Sequence, residues 1–191
     1  VFTAPRTGRH IRVAGEDVAA GTVVLRSGTM LTPAALGLAS ALGIAELAVL
    51  PRQRVLIVST GTELVAPGAA LRPGQIYESN AVMLAAAVRE AGASVVDVVT
   101  CSDDVARFRA VLDEHVGTAE VVLTSGGVSA GAYEVVKDAF GPVPGSSGVE
   151  FVKVAMQPGM PQGAGRLADG RAIVTLPGNP VSAWVSFQMF V

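Results

Sequence analysis

Residues 124–138, TSGGVSAGAYEVVKD, place a glycine-rich loop between a buried strand and a helix. The apolar run 121–123 that leads into the loop predicts a strand buried on both faces. After the loop, the apolar residues lie at helical spacing and can share one face: Tyr133, Val136, Ala139 and Phe140. Glycines let the backbone turn tightly and let a ligand approach the main chain without meeting a Cβ atom. The chain is therefore expected to fold around a strand–loop–helix unit.

This loop is a candidate ligand site. Free backbone N–H groups at the start of the following helix favour an anion, typically phosphate, and the hydroxyls of Ser125 and Ser129 would add donors. The loop matches neither of the common nucleotide-binding patterns, GxxxxGK[ST] and GxGxxG. A strand-to-helix loop is also glycine-rich for packing alone. Ligand binding and packing both remain open at this point.

From residue 54 onwards, strand and helix patterns alternate. Strands are predicted at 55–59, 95–100, 120–124 and 149–156, and helices at 80–91, at 102–116, after the glycine loop and at the end of the chain. Alternation of this kind predicts an α/β fold with three layers, α/β/α, around a mainly parallel sheet. Within 165–176, the Asp169-Gly170 pair between apolar runs predicts a hairpin with a type I′ turn.

The first fifty residues follow a different pattern, that of a smaller α+β segment. Glycines separate short Val- and Ile-containing runs within residues 1–30, which predicts short strands and turns. Thr32 and Pro33 are typical of a helix start, and Gly43 is typical of a helix end. A short strand is expected at 46–50. The polar, Pro-initiated stretch that follows divides the chain into predicted domains 1–53 and 54–191.

Composition excludes some classes of partner. The chain has 191 residues, 50% hydrophobic and 16% charged, with a net charge of −2, and no basic stripe that would favour nucleic acid. Its one cysteine, Cys101, cannot form an intrachain disulfide, which favours a reducing, cytoplasmic setting. The longest apolar stretch, 34–50, is interrupted by Ser40, Glu46 and glycines, so no membrane span is expected.

In a parallel sheet, ligands bind beyond the carboxyl ends of the strands, and this rule selects the loops 60–64, 101–104, 125–131 and 176–180. Glu63, Asp103 and Glu134 are acidic residues in or beside these loops. They could converge on a Mg²⁺ ion that also touches a phosphate, because Mg²⁺ takes carboxylate and substrate oxygens. Simpler roles also fit: Asp103 as a helix cap, Glu63 in an exposed turn, and Glu134 with Lys137 as a solvated helix pair.

Five motifs stand in order along the chain: STGTEL (59–64), QIYESNA (75–81), SGGVSAG (125–131), PGMP (158–161) and LPGNPVSA (176–183). Together they resemble the molybdopterin molybdotransferase family, known as MoeA in bacteria and as the E domain of gephyrin in animals. Residues 12–43 also resemble the segment before the family's pterin-binding domain. Pterin-binding proteins of the MogA/MoaB type share the central domain and the SGG loop, but they lack that front segment.

The resemblance implies a step of molybdenum cofactor biosynthesis: the metal-dependent insertion of molybdenum from molybdate into adenylylated molybdopterin, with release of AMP. It implies that Glu63, Asp103 and Glu134 are catalytic carboxylates of the metal and pyrophosphate site, with Mg²⁺ on Asp103 and Glu134. Lys153 would belong to the molybdate site. The residues that the resemblance assigns to cofactor binding are Thr60, Gly61, Ser125, Gly126, Gly127, Ser129, Gly131, Lys137, Lys153, Pro177, Gly178, Asn179 and Ser182.

Three positions depart from the family's pattern. Glu134 stands where the family often has Asp, and Gln157 and Met160 stand where it often has Lys, so two cations of the usual molybdate site are replaced. The resemblance further implies a homodimeric full-length protein, of which this chain would be a fragment lacking both ends. Two alternatives remain: adenylyl transfer to molybdopterin, as in MogA-type proteins, and a non-catalytic pterin-binding scaffold, which the Gln157 and Met160 changes favour.

Overall fold

The computed structural model describes residue 4 and residues 6–128, 134–140 and 148–191. The chain divides into two compact units, Val1–Leu50 and Pro51–Val191. Across the described residues, no helix is both long enough and apolar enough to cross a lipid bilayer.

The first unit contains one described helix, α1 (Pro33–Ala41). Its start follows the predicted chemistry: the Thr32 hydroxyl accepts a hydrogen bond from the N–H of Ala35 at 3.2 Å, and Pro33 occupies the first helical turn. Gly43 follows the helix end with φ +76°, a backbone conformation that glycine adopts without strain. The predicted helix is therefore confirmed.

The strands predicted for this unit were wrong. The described residues before 51 form turns and irregular backbone around α1, with no strand at 46–50 or in the described part of 1–30. Many of their apolar side chains remain in solvent, since Ile11 is 71% exposed and Leu50 is 95% exposed. A strand is stabilised by a paired neighbour and a buried face, and these runs have neither among the described residues. In its described residues, the predicted α+β segment is thus a helix with turns and irregular backbone.

The second unit is built on a six-stranded sheet. Its strands are β1 (Arg54–Thr60), β4 (Ser94–Cys101), β5 (Val121–Ser125), β6 (Gly148–Lys153), β7 (Pro161–Arg166) and β8 (Ala172–Leu176). They lie side by side in the order β4-β1-β5-β8-β7-β6. Strands β4, β1, β5 and β8 are parallel, and β7 and β6 extend the sheet in antiparallel fashion. Two short strands, β2 (Leu64–Val65) and β3 (Ile76–Tyr77), pair separately.

Helices cover both faces of this sheet. They are α2 (Asn80–Glu90), α3 (Val105–His115), α4 (Val135–Phe140) and α5 (Pro180–Phe190), with a 3₁₀ turn at Val116–Thr118. Ile57 and Leu123 pack with α2 and α5, whereas Leu56 and Val122 pack with α3 and α4. Adjacent strand residues point to opposite faces, so a central strand buried on both sides must be apolar throughout. The predicted α/β/α fold with a mainly parallel sheet is confirmed.

The hairpin predicted within 165–176 is present as β7 and β8, but its turn is not of type I′. The N–H of Gly170 donates to the Leu167 carbonyl at 2.9 Å, and the N–H of Leu167 donates to the Arg171 carbonyl at 2.8 Å. Within the loop, all of whose residues are described, Gly170 has φ +87° while Asp169 stays at negative φ. A type I′ turn needs positive φ at both central residues, so this is a three-residue loop that closes with glycine in the left-handed conformation.

The pairing of β6 with β7 depends on Gly165. A Cβ atom at this position would lie 2.0 Å from the Gly148 carbonyl oxygen and 2.6 Å from the Val149 Cα atom, so backbone would have to move. We therefore expect Gly165→Ala to lower the free energy of unfolding by about 1–3 kcal/mol, the usual cost of overpacking. Urea denaturation measures this.

Gly117→Ala is the matched control, because a Cβ atom there has no described heavy atom within 4 Å and the residue is not at positive φ. Its unfolding midpoint should stay close to that of the native chain. Equal midpoints for the two variants would show that β6 does not approach β7 as described.

Candidate functional site

The sheet brings the ends of its four parallel strands to one edge. Thr60 at the end of β1 pairs with Cys101 at the end of β4. Ser59 pairs with Ser125 at the end of β5, and Ser125 pairs with Leu176 at the end of β8. The four loops selected from the sequence therefore leave neighbouring strands on the same side of the molecule, where parallel sheets bind ligands.

Asp103 ties the loop after β4 to the loop after β1. Its carboxylate accepts a hydrogen bond from the N–H of Thr62 at 2.9 Å, and its own N–H donates to the Thr62 hydroxyl at 3.2 Å. Asp104 caps α3, because its carboxylate accepts a hydrogen bond from the N–H of Arg107 at 2.7 Å. Asp103 is therefore not the helix cap. It is a half-buried carboxylate held at the carboxyl edge of the sheet.

Packing accounts for the glycines at the start of the SGG loop. Gly126 has φ +91°, and a Cβ atom there would lie 2.6 Å from the Thr60 carbonyl oxygen. Gly127 has φ +64°, and its Cβ would lie 2.9 Å from a methyl group of Val135. A Cβ on Gly178, in the loop after β8, would lie 3.4 Å from the Gly126 Cα atom, so the two loops touch. Ser129, Gly131 and Tyr133 lie outside the described residues.

The three candidate carboxylates do not form one cluster. Glu63 is exposed beside Gly61, and Glu134 is half-buried at the residue before α4, outside the helix in which a Glu134–Lys137 pair was considered. The Glu134 carbonyl accepts from the N–H of Asp138 at 2.8 Å, which begins that helix. Among the described residues, no three His, Cys, Asp or Glu side chains come together as metal ligands. The structure therefore contains no three-carboxylate cage for Mg²⁺ in the part of the chain it describes.

The loop after β8 is organised by Asn179. Its side-chain oxygen accepts hydrogen bonds from the N–H groups of Val181 at 3.1 Å and Ser182 at 3.2 Å, and the Ser182 hydroxyl donates to it at 3.4 Å. These bonds satisfy donors at the start of α5, and Pro180 occupies its first turn. Asn179 and Ser182 thus fix the course of the chain between Pro177 and the helix.

Two lysines line a cavity of about 230 Å³ near the end of β6. Lys137 comes from α4, and Lys153 is the last residue of β6. The other lining residues are Val128, Phe151, Val152, Met160, Pro161 and Gln162. The cavity thus combines cations with apolar walls, which suits an anionic group attached to an apolar body.

A buried carboxylate, Glu78, was missed by the sequence analysis. It is 6% exposed, and its Oε1 atom accepts hydrogen bonds from the Ser59 hydroxyl and from the N–H of Ala81, both at 2.8 Å. The oxygens of the Ser59 and Ser125 hydroxyls lie 2.9 Å apart. A weak signal was available, because an acidic residue directly before a helix start is placed to accept from its free N–H groups.

Cys101 is buried at the end of β4, with an exposed fraction of 5%. Desolvation by burial raises the pKa of its thiol to about 11, with a further contribution from the Asp103 carboxylate and an opposing one from Arg107. A nucleophilic cysteine needs a lowered pKa, so this thiol is a small core residue.

Comparison with protein families identifies two matching regions. Residues 56–191 match the family described as probable molybdopterin binding domain. Residues 2–43 match the family described as the MoeA N-terminal region, domains I and II. The first match covers the whole sheet except the initial residues of β1, and the second covers most of the first compact unit.

The curated relatives described below are both named as molybdopterin molybdenumtransferases. The chain is 68% identical over 187 residues to molybdopterin molybdenumtransferase 2 of Mycobacterium tuberculosis, covering 96% of this chain and 46% of the relative. It is 38% identical to molybdopterin molybdenumtransferase of Haemophilus influenzae, covering 98% of this chain and 45% of the relative. The chain therefore spans slightly less than half the length of these relatives.

Solved structures share the fold. The molybdopterin biosynthesis MoeA protein of Pyrococcus horikoshii matches with a TM-score of 0.75 at 30% identity, over 92% of this chain and 42% of that one. The tungsten cofactor synthesizing protein MoaB of Pyrococcus furiosus matches with a TM-score of 0.52 at 12% identity, over 74% of this chain and 91% of that one. The second likeness concerns the fold alone.

The raised pKa of Cys101 predicts an unreactive thiol. At pH 8 a thiol with a pKa near 11 is roughly 0.1% thiolate, about a hundredfold less than an ordinary cysteine. We expect iodoacetamide to label the folded chain at pH 8 at least that much more slowly than the same chain in urea, with a rate that rises as the pH approaches 11. Mass spectrometry follows the labelling, and equal rates in the folded and unfolded chain would contradict the burial described for Cys101.

Proposed function

Because the chain belongs to the family described as probable molybdopterin binding domain, we propose that it is part of a transferase of molybdenum cofactor biosynthesis. In this proposal the full-length protein binds adenylylated molybdopterin and molybdate, inserts molybdenum into the pterin dithiolene and releases AMP. The names of the curated relatives support the transferase assignment. A homodimeric, cytoplasmic enzyme is part of the same proposal.

The observation that carries the proposal is that the adjacent residues Asp103 and Asp104 have different hydrogen-bond partners. Asp104 alone caps α3, so helix formation does not require the Asp103 carboxylate. Asp103 is nevertheless fixed by two hydrogen bonds to Thr62, at the edge where parallel sheets bind ligands. A carboxylate that is held in place by hydrogen bonds but does not cap the helix is well suited to act on a ligand.

The donor set at this edge is compatible with a magnesium ion. Mg²⁺ usually takes one or two protein carboxylates and completes its shell with water and substrate phosphate oxygens, so a three-carboxylate cage is not required. We assign the two carboxylates to Asp103 and Glu134, with Glu63 acting on the same pyrophosphate region. When bound, the ion would supply neutralisation of the pyrophosphate charge.

The chain's own groups would hold the remainder of the substrate. Backbone groups of Thr60, Gly61 and the SGG loop would contact the pterin side, because both loops leave the carboxyl ends of the neighbouring strands β1 and β5. Lys137 and Lys153 line one cavity and would bind anionic groups, with Lys153 serving the molybdate. Met160 lines the same cavity and brings no charge, so Lys153 would carry a larger share of anion binding than it would in a lysine-rich site.

The central test is metal-dependent release of AMP by the full-length protein supplied with adenylylated molybdopterin and molybdate. Asp103→Asn should lower the rate at least about tenfold, since it removes a carboxylate from the pyrophosphate site. Asp104→Asn is the matched control, because it removes the same charge one residue away and Asn is also a good helix cap. Chromatographic quantification of AMP gives the rates.

Three outcomes would overturn the proposal. Equal rates for Asp103→Asn and Asp104→Asn would remove the catalytic assignment of Asp103. Consumption of ATP with adenylylation of molybdopterin would favour the MogA-type reaction. Tight pterin binding without any turnover would favour the non-catalytic scaffold.

The assignment of Lys153 gives a separate prediction. Lys153→Gln should weaken the apparent affinity for molybdate about tenfold, because a charge-assisted contact to the oxyanion is lost. Arg72→Gln removes a cation from an exposed loop and should leave that affinity unchanged. Titration of AMP release against molybdate concentration measures both variants, and a native-like titration for Lys153→Gln would exclude Lys153 from the molybdate site.

A further inference from the structure

The connection between β6 and β7, residues 154–160, is attached to helix α5 through the side chain of Gln162. The Gln162 Nε2 atom donates one hydrogen bond to the Gly159 carbonyl at 2.6 Å and another to the Ser186 hydroxyl of α5. A Cβ atom on Gly159 would lie 2.9 Å from the Ser186 Oγ atom, so the connection and the helix touch here. Gln162 is 7% exposed and Ser186 is fully buried. The connection is therefore held on the helix inside the protein.

Hydrogen bonds fix the backbone of Met160 on both of its sides. The Gly159 carbonyl, in the peptide group before Met160, accepts from Gln162. The Met160 carbonyl, in the peptide group after it, accepts from the N–H of Val154 at 2.8 Å. Val154 directly follows Lys153, and Lys153 and Met160 line the same cavity. These bonds thus set the backbone of an apolar lining residue relative to the backbone of a cationic one.

The stability of the fold does not explain the amide of Gln162. Its Oε1 atom is buried and has no hydrogen-bond partner among the described residues. Turning the amide around would place this oxygen against the Gly159 carbonyl, so the unpaired atom remains the oxygen. A buried, unpaired acceptor opposes folding by as much as one or two hydrogen bonds contribute to it. The two donor bonds therefore fix a geometry with little net gain in folding free energy.

We propose that Gln162 is a positioning residue of the anion site, which holds the 154–160 connection on α5 so that Met160 forms a fixed apolar wall beside Lys153. Without the Gln162 donor, the connection would shift to hydrate the buried Gly159 carbonyl, and Met160 would move with it. Water would then reach an anion bound to Lys153 and weaken the charge-assisted contact between them. The inference rests on the proposed function and deepens it, since it names what sets the affinity for molybdate.

The test measures AMP release by the native full-length protein and by Gln162→Met, which keeps the length of the side chain and removes its donors and its unpaired acceptor. The KM for molybdate should rise about five- to tenfold, the value of one weakened hydrogen bond to a charged group. The kcat and the KM for adenylylated molybdopterin should stay within about twofold of native, because only the binding of molybdate is affected.

Gln53→Met is the matched control. It makes the same substitution at an exposed residue directly before β1, at the end of that strand opposite the ligand edge. All three kinetic constants should stay native. The comparison therefore removes any general effect of replacing glutamine by methionine.

Ser186→Ala is a second variant that tests the same contact. It removes the hydroxyl on α5 and leaves the Gln162 bond to Gly159 in place, so the molybdate KM should rise about two- to threefold. Combined with Gln162→Met, it should add less than this factor, because both changes act through one contact. Ser186→Ala carries the test even where Gln162→Met does not fold.

Hydrogen exchange gives a readout that does not depend on activity. Exchange in residues 154–160 reports whether the connection keeps its place, and mass spectrometry follows it in the full-length protein. Gln162→Met should raise the exchange rate of this segment about tenfold, and Gln53→Met should leave it at the native value.

The outcomes separate this inference from the proposed function. No AMP release by the native protein with metal and molybdate would sink the proposed function. Unchanged exchange in 154–160 of folded Gln162→Met would overturn the role of Gln162 whatever the activity. In an active native protein, a lower kcat with an unchanged molybdate KM in the variants would also overturn it, because loss of stability alone reduces the amount of folded enzyme and leaves KM as it was.

Discussion

The parallel register of β4, β1, β5 and β8 is the constraint on which the candidate site depends. Backbone hydrogen bonds between these strands place Thr60 beside Cys101 and Ser59 beside Ser125. The loops that follow these strands therefore lie next to one another. Two of them are joined directly by the hydrogen bonds between Thr62 and Asp103. Groups far apart in the chain become neighbours because each strand runs in the same direction and ends at the same edge.

Sequence patterns predicted the central fold well because its strands are buried on both faces. The apolar runs at 55–59 and 121–123 leave few alternatives to a covered sheet. The short apolar runs before residue 51 carry the same residue types, but strand formation there needs a partner that the pattern cannot supply. The Asp169-Gly170 pair located a hairpin correctly and its turn type incorrectly, since the glycine alone adopts positive φ.

The candidate site was predictable at the level of loops and family motifs, and less so atom by atom. Which of two adjacent aspartates caps α3 depends on where the helix begins, and a shift of one residue exchanges their roles. The buried position of Glu78 could not be predicted from the sequence, because its hydrogen-bonding partner Ser59 is 19 residues away in the chain. Ser125, which is hydrogen-bonded to Ser59, is 66 residues from Ser59. Contacts of that range are fixed by tertiary packing, which no local pattern contains.

The antiparallel strands β7 and β6 have a consequence for how such a sheet diversifies. β6 is antiparallel to β7, and β7 is antiparallel to β8, so β6 runs in the same direction as β8 and ends with Lys153 at the edge where the parallel strands end. The connection between them, 154–160, carries Gln157 and Met160. Because 154–160 lies outside the six strands, a change of charge in this connection leaves every paired strand residue of the sheet in place. The charge beside the cavity that Met160 and Lys153 line can therefore be altered without altering the strands themselves.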